Sequence, residues 1–292
     1  MRQIFHDARL QKNFLKAGYV TVPLLSEAQV RYILAQLNDL HPDDNFTPDG
    51  RGVAKCSYHC SFLDTNSAYK QQTYNLLKDV FTPFVERYLV GYHILNCNFY
   101  VKPPQTGEFQ IHQNWPAISD INDTTVTIWC PLVDVEASNG ALQVVEGSHK
   151  ILPHVETPGS PAYFSNFQQA LVRDYLKSMP MNAGEGIIFD DSLIHWSQKN
   201  DSDYPRIAIQ ILCIPNDATP TFFFKLNEEN FEMIYADSEF FLHNSMMNLL
   251  TRQPEWQSLG LIENQNRLIT EVEFAELIHY GDRIRKIGRA HV

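Results

Sequence analysis

The sequence predicts a mainly β protein whose strands close into a jelly-roll or similar double-sheet barrel, flanked by helices. Three features carry this expectation. The first 90 residues have helical spacing, eight short apolar runs then follow between Gly, Pro, Asn and Asp, and the last 65 residues turn mixed again. A length of 292 residues would allow two domains at about 150 residues each. No linker, repeat or low-complexity segment divides the chain. One domain is therefore expected, with residues 1–91 as an N-terminal helical casing, 92–226 as the barrel core and 227–292 as a C-terminal helical extension.

Asp7 to Lys16 places Leu10, Phe14 and Leu15 at helical spacing, and Gly18 stops the helix. Tyr19 to Val22 is a short β-branched and aromatic strand. Ser26 followed by Gln29 is a capping-box signature, and Val30, Ile33, Leu34 and Leu37 lie on one face of the helix it opens, to about Leu40. His41–Arg51 is turn-rich, and a second long helix is expected from Ser67 to Val90. The expected strands are His93–Val101, Glu108–Gln113, Thr124–Val133, Ala141–Val145, Gly186–Asp190, Ile194–Ser197, Arg206–Ile214 and Thr221–Leu226. Helices are expected near Asn166–Lys177, Glu239–Leu250 and Glu271–His279.

The composition is 44% hydrophobic, 20% charged and 12% aromatic, ordinary for a soluble globular protein. A formal net charge of -11 with no basic run argues against nucleic-acid or anionic-membrane partners. No apolar run has signal-peptide or membrane-span character. Five cysteines cannot all pair in one chain, and none forms CxxC. They read as reduced thiols of a cytoplasmic protein, with Cys97, Cys130 and Cys213 facing the core. Cys56 and Cys60 form a CxxxC that is a weak metal signal.

Two strand histidines stand out, His112 in GEFQIHQNWP and His195 in GEGIIFDDSLIHWSQKN, 83 residues apart. Neither is a helical HExxH, so metalloprotease chemistry is not indicated. A barrel can bring two such strands together, and two imidazoles with one acid make the facial triad of non-haem Fe(II) oxygenases. Asn114 stands two residues after His112, and i and i+2 of a strand point to one side. Asn114 should therefore face the space that His112 faces, and Gln113 should point away.

The blocks HQNWP, TVTIWCPLVDVEASNGALQVVEGSHK and AGEGIIFDDSLIHWSQKNDSDYPRIAIQ occur in this order. Together the chain resembles the phytanoyl-CoA dioxygenase (PhyH-like) family of Fe(II)/2-oxoglutarate-dependent oxygenases, over roughly Phe5 to Pro215. The resemblance implies a double-stranded β-helix core of cupin-like, jelly-roll form. It implies His112 and His195 as iron ligands and Arg206 as the guanidinium that grips the distal carboxylate of 2-oxoglutarate. It also implies Ser197 as a hydroxyl on that carboxylate and Trp129 as a wall of the co-substrate pocket. Fe(II) is then the metal, with 2-oxoglutarate and O₂ as co-substrates for oxidation, most simply hydroxylation, of a small-molecule metabolite.

The family's carboxylate ligand would fall at position 114, where this chain has Asn. Four readings stay open. Asn114 binds iron through its carbonyl oxygen; or the position is used as in halogenases, which leave it open for an anion; or the fold persists as a non-catalytic ligand-binding module; or the Asp was replaced on purpose or another acid substitutes, although Asp120 and Asp123, close by in sequence, lack the i+2 spacing that keeps a side chain on the His112 face. Substrate contacts are expected around the barrel mouth, from Tyr58, His59 and Phe62 in the loop Lys55–Asn66 and from Asn98 and Tyr100, which share a strand face. Asp190 and Asp191 read as turn or strand-end residues, and His149 and His154 as structural. The aromatic Thr221–Leu226 suits core packing or a subunit interface, which leaves a homodimer open.

Overall fold

The computed structural model of the chain describes residues 2–42, 46, 58–107, 109–149 and 151–287. Helix α1 (Ala8–Ala17) opens at Asp7, whose carboxylate accepts the backbone N–H groups of Arg9 and Leu10. It closes at Gly18 in the left-handed region, φ 85°. A Cβ there would also meet Nδ1 of His149 at 2.5 Å, so only glycine fits. Helix α2 (Glu27–Asn38) begins with the expected capping box of Ser26 and Gln29. Replacing Ser26 by Ala is expected to cost about 1 kcal/mol, measured as a lower urea midpoint at an unchanged slope. Helix α3 (Ser67–Tyr88) buries Tyr69, Thr73, Leu77, Phe81, Val85 and Tyr88, a stripe at three- and four-residue spacing.

The strands are β1 (Tyr19–Pro23), β2 (His59–Cys60), β3 (Tyr92–Lys102), β4 (Phe109–His112), β5 (Val126–Pro131), β6 (Gln143–Val145), β7 (Leu176–Ser178), β8 (Glu185–Asp190), β9 (His195–Ser197), β10 (Arg206–Pro215), β11 (Thr221–Lys225), β12 (Asn230–Tyr235) and β13 (Ser258–Glu263). They form a large sheet in the order β1-β8-β5-β10-β3-β2, a small sheet β4-β9-β6-β7 and a third sheet β11-β12-β13. The two strands from before residue 91 thus join the large sheet, in a segment expected to be casing.

Alternation divides the large sheet into two faces with different tasks. Val126, Ile128, Cys130, Ile188, Ile209, Ile211 and Cys213 pack with Phe14, Ile33, Leu77 and Phe81 of the helices. The other face carries Trp129, Phe189 and Ala208, and the Phe189 ring meets that of His195 on the small sheet at 4.9 Å. One face is therefore a hydrophobic seat for the helices, and the other lines the space between the sheets. Among the described residues no helix is long and apolar enough to cross a membrane.

Three elements differ from expectation. Residues 166–177 are not one helix: short helical turns up to Tyr175 give way to β7, which pairs with β6, Gln143 opposite Ser178. Sheet pairing there outweighs local helical propensity. Residues 227–292 are not only helical, because β12 and β13 extend β11 into a sheet. Asn227 makes the turn between β11 and β12, its side-chain oxygen accepting the N–H groups of Glu229 and Asn230 at 2.9 and 2.8 Å. The helix expected over Glu239–Leu250 stops at His243, where Asn244 turns its side-chain N–H back onto the Phe240 carbonyl at 2.9 Å. Cys97, Cys130 and Cys213 are buried, while Cys56 of the CxxxC lies outside the described residues.

Candidate active site

His112 ends β4 and His195 begins β9, and the two sit directly opposite each other in an antiparallel pair. Opposed residues project to the same side, so the ring centroids lie 4.1 Å apart with planes at 54°. Each ring meets the backbone carbonyl two residues before it, His112 Nδ1 to Gln110 at 2.7 Å and His195 Nδ1 to Leu193 at 2.8 Å. A carbonyl only accepts, so Nδ1 carries the proton and Nε2 keeps its lone pair. Among the described residues neither Nε2 has a hydrogen-bond partner. Burial lowers the pKa of His112, against the raising effect of the Gln110 carbonyl and of Glu156. Burial lowers His195 well below the ordinary value, and a charge on His112 would lower it further. Two adjacent neutral imidazoles with free Nε2 atoms fit a transition-metal ion.

Asn114 follows on the same side as His112, both half-buried, whereas the alternate residues Ile111 and Gln113 are buried. The Gln113 side chain points away and donates to the Ser192 carbonyl. Asn114 Nδ2 donates to Asp191 Oδ1 at 2.8 Å and to Thr127 Oγ1 at 2.9 Å. Burial pushes the Asp191 carboxyl up to about 6, opposed by hydrogen bonding from Asn114, Thr125 and Thr127. No third His, Cys, Asp or Glu joins the two histidines as a metal-holding group among the described residues. Asp120 is exposed, Asp123 is paired with Arg2 at 2.7 Å, and Asp190 accepts from Ser192. None of these acids joins the histidines: each is turned to another partner, Asp120 to the Asn122 N–H at 3.0 Å.

Arg206 opens β10 on the inner face, 3% exposed. Its guanidinium carbon stands 5.7 Å from the Trp129 ring, and its Nε is buried with no partner. Burial lowers its pKa to about 10, so it stays charged at neutral pH. A buried cation without a carboxylate fits a small anionic ligand that would supply one. Ser197, 6% exposed, accepts from the Lys102 ammonium at 2.7 Å. Lys102 is opposite Arg206 in the strand register and also donates to the Ser197 and Gln198 carbonyls, at 3.0 and 2.6 Å. Because Ser197 Oγ already accepts from an ammonium, its own O–H is left to donate.

The mouth is aromatic. Tyr58 stacks on Phe109 at 4.7 Å, and Phe109 stacks on His112 at 4.9 Å. Tyr100 lies 5.9 Å from Phe109 and donates to Gln210, while Asn98 accepts from Ser61 at 3.5 Å. Phe62 packs edge-on to Trp115, the residue after Asn114, at 6.0 Å. His59 is a correction. It is fully buried on the helix side of the sheet, bonded to the Tyr69 hydroxyl at 2.8 Å and packed on Phe99 at 5.3 Å. Successive strand residues face opposite ways, so a loop that brings Tyr58 to the mouth sends His59 to the core.

Sequence reasoning passed over Thr127, Lys102, Phe109 and the partnership of Asp191. It also set aside His154, whose ring nitrogens are buried without hydrogen-bond partners, with Nε2 3.3 Å from a Glu156 carboxylate oxygen. The neighbouring Tyr163 hydroxyl is likewise unpartnered. His149 packs beside Phe14 and Gly18.

The architecture is that of non-haem α-ketoglutarate-dependent enzymes of known structure. The carbocyclase SnoK from nogalamycin biosynthesis superposes with a TM-score of 0.56 at 19% identity, over 73% of this chain and 86% of its own. HygX from Streptomyces hygroscopicus, solved with nickel, 2-oxoglutarate and hygromycin B, gives 0.52 at 15% identity, over 72% and 88%. EctD from S. alaskensis gives 0.51 at 18% identity, over 72% and 77%. At these identities the likeness is one of fold. The profile of the phytanoyl-CoA dioxygenase (PhyH) family matches residues 14–208, and the chain belongs to that family. A phytanoyl-CoA dioxygenase domain-containing protein 1 homolog of Dictyostelium discoideum is 30% identical over 118 residues, 38% of this chain and 42% of that protein.

Proposed function

We propose that the protein is an Fe(II)- and 2-oxoglutarate-dependent oxygenase that oxidises a small-molecule substrate, most simply by hydroxylation. The observation that carries this reading is the pairing of two kinds of unmet demand in one barrel. His112 and His195 hold adjacent Nε2 lone pairs, and Arg206 is a buried cation whose Nε lacks a partner. Iron bound there with 2-oxoglutarate supplies the oxidising chemistry, in which O₂ is consumed and the oxoacid becomes succinate and CO₂.

The chain's own residues do the rest. His112 and His195 are held in one tautomer by the Gln110 and Leu193 carbonyls, so metal binding needs no ring reorientation. Asn114 offers its carbonyl oxygen as the third protein donor. Arg206 takes the distal carboxylate of the oxoacid, with the Ser197 hydroxyl beside it and Trp129 as a wall. Tyr58, Phe62, Asn98 and Tyr100 line the way in and exclude water from the metal side. The chemistry at the metal selects no substrate, so selection falls to this rim.

The test is succinate formation under air with Fe(II) and 2-oxoglutarate. Slow turnover without substrate, absent from His112→Ala, is the expected result. Two other uses of a neutral residue at position 114 would read differently. A chloride-accepting site would give a chlorinated product by mass. A non-catalytic binding barrel would bind metal and oxoacid yet form no succinate with any substrate panel, and that outcome would end the oxygenase reading.

A further inference from the structure

We infer that Asp191 is a positioning residue that restores, one residue away from the metal position, the negative charge that Asn114 lacks. The inference rests on the proposed metal site at His112, Asn114 and His195. Asp191 Oδ1 accepts from Asn114 Nδ2 at 2.8 Å and from the Thr127 hydroxyl at 2.6 Å. A carboxylate has no hydrogen to give, so the amide nitrogen must be the end that faces it. The carbonyl oxygen is at the other end of a planar group. Among the described residues no donor occupies it.

The backbone locks this arrangement. The Asn114 N–H donates to the Asp191 carbonyl at 2.9 Å, and the Asp191 N–H donates to the Thr125 carbonyl at 3.2 Å. The two side chains therefore meet at a fixed height, with Asn114 on the His112 side of its segment. Asp191 and Thr127 are 3% and 0% exposed, so water does not compete for these bonds. The second oxygen of Asp191 is also buried, and it has no hydrogen-bond partner. A carboxylate satisfied at one oxygen only is costly in a protein interior unless positive charge is close. A divalent ion held by His112, His195 and the Asn114 carbonyl oxygen would supply that charge.

The electronic consequence follows from the direction of the hydrogen bond. An amide N–H that donates to a carboxylate shifts electron density toward its own oxygen, which strengthens that oxygen as a donor to a hard cation. The acid has not been lost from the site; it sits behind the ligand. This changes what restoring Asp at 114 should do. Asn114→Asp alone would set a carboxylate oxygen where Nδ2 now stands, in contact with Asp191. Two such groups hold one proton between them instead of two charges, so the single change should not improve metal binding.

Co(II) affinity at neutral pH, by titration calorimetry with the visible ligand-field spectrum as a second readout, tests this on the full chain. Asp191→Asn is expected to weaken Co(II) binding by about 10–100-fold at an unchanged far-UV spectrum. The exchanged pair Asn114→Asp with Asp191→Asn is expected to recover native affinity or exceed it, with a changed ligand-field band. Asn114→Asp alone is expected to bind no more tightly than the native chain. A merely structural role for Asp191 cannot predict recovery by exchange. Thr127→Val, which leaves both partners in place, keeps the test available should Asp191→Asn not fold, and a loss of a few-fold is expected there. Unchanged affinity in Asp191→Asn, no recovery in the folded exchange variant, or tighter binding in Asn114→Asp alone overturns the inference. Native protein that binds Co(II) no better than His112→Ala with His195→Ala would instead overturn the metal-site reading itself.

Discussion

Arg206→Met is expected to destroy 2-oxoglutarate binding and, at the same time, to stabilise the ligand-free protein. The two effects share one cause. Arg206 is a buried cation beside Trp129 whose Nε has no partner, and the proposed role gives it an anion. Removing one partner of a buried, hydrogen-bonded charge pair costs about 2–5 kcal/mol, more than tenfold in Kd even at the low end. In the empty protein the same guanidinium is desolvated for no return, which lowers its pKa from the ordinary guanidinium range to about 10. For a base, a lowered folded pKa means the charged form is penalised in the fold. That penalty is fully present below pH about 10 and is relieved as the pH rises through it, so at neutral pH it is on the order of 3 kcal/mol. Loss of the Trp129 contact returns about 0.5–2 kcal/mol of it. Thermal melts without metal or oxoacid should therefore show the variant melting higher than the native chain. Adding oxoacid with metal should raise only the native midpoint. A lower-melting variant that still responds to oxoacid would remove Arg206 from the site.

His195→Ala is expected to abolish metal-induced stabilisation. His195 brings one of the two Nε2 donors, and the Leu193 carbonyl holds it in the metal-binding tautomer. A ligand at a thousand times its Kd stabilises by about 4 kcal/mol, so the native midpoint should climb strongly with Co(II) while the variant stays level. The control lies in the same measurement, because a variant that melts cooperatively without metal has kept its fold. A variant that still climbs with Co(II) would place the metal elsewhere. Metal binding here is the precondition for every residue role proposed around it.

How much of this was legible beforehand depended on distance along the chain. The Asp7 and Ser26 caps, the Gly18 stop and the i, i+2 relation of His112 and Asn114 are local. They can be read because a few neighbouring residues decide them. The two histidines and Arg206 were legible as a set through the family's motifs, although the histidines themselves meet only in the fold. The third sheet was not legible: β12 buries only Phe231 and Ile234 firmly, too weak an alternation to announce a strand. The segment 166–177 failed for a related reason, since β7 exists by virtue of β6. His59 was placed at the mouth from loop composition, which cannot tell the two faces of a two-residue strand apart.

The amino-acid order by itself determined a β barrel with helical ends, two strand histidines, a following Asn and a lone Arg eleven residues beyond the second histidine. Periodicity and motif spacing are properties of a chain, and they survive without coordinates. The contact between Asn114 and Asp191, 77 residues apart, is not of that kind. It arises because β5 and β8 pair side by side, which brings Thr127, Asp191 and the segment after β4 to one point. Hydrogen bonding at that point turns the amide. From the sequence, position 114 was a missing charge. In the fold, that charge stands behind it.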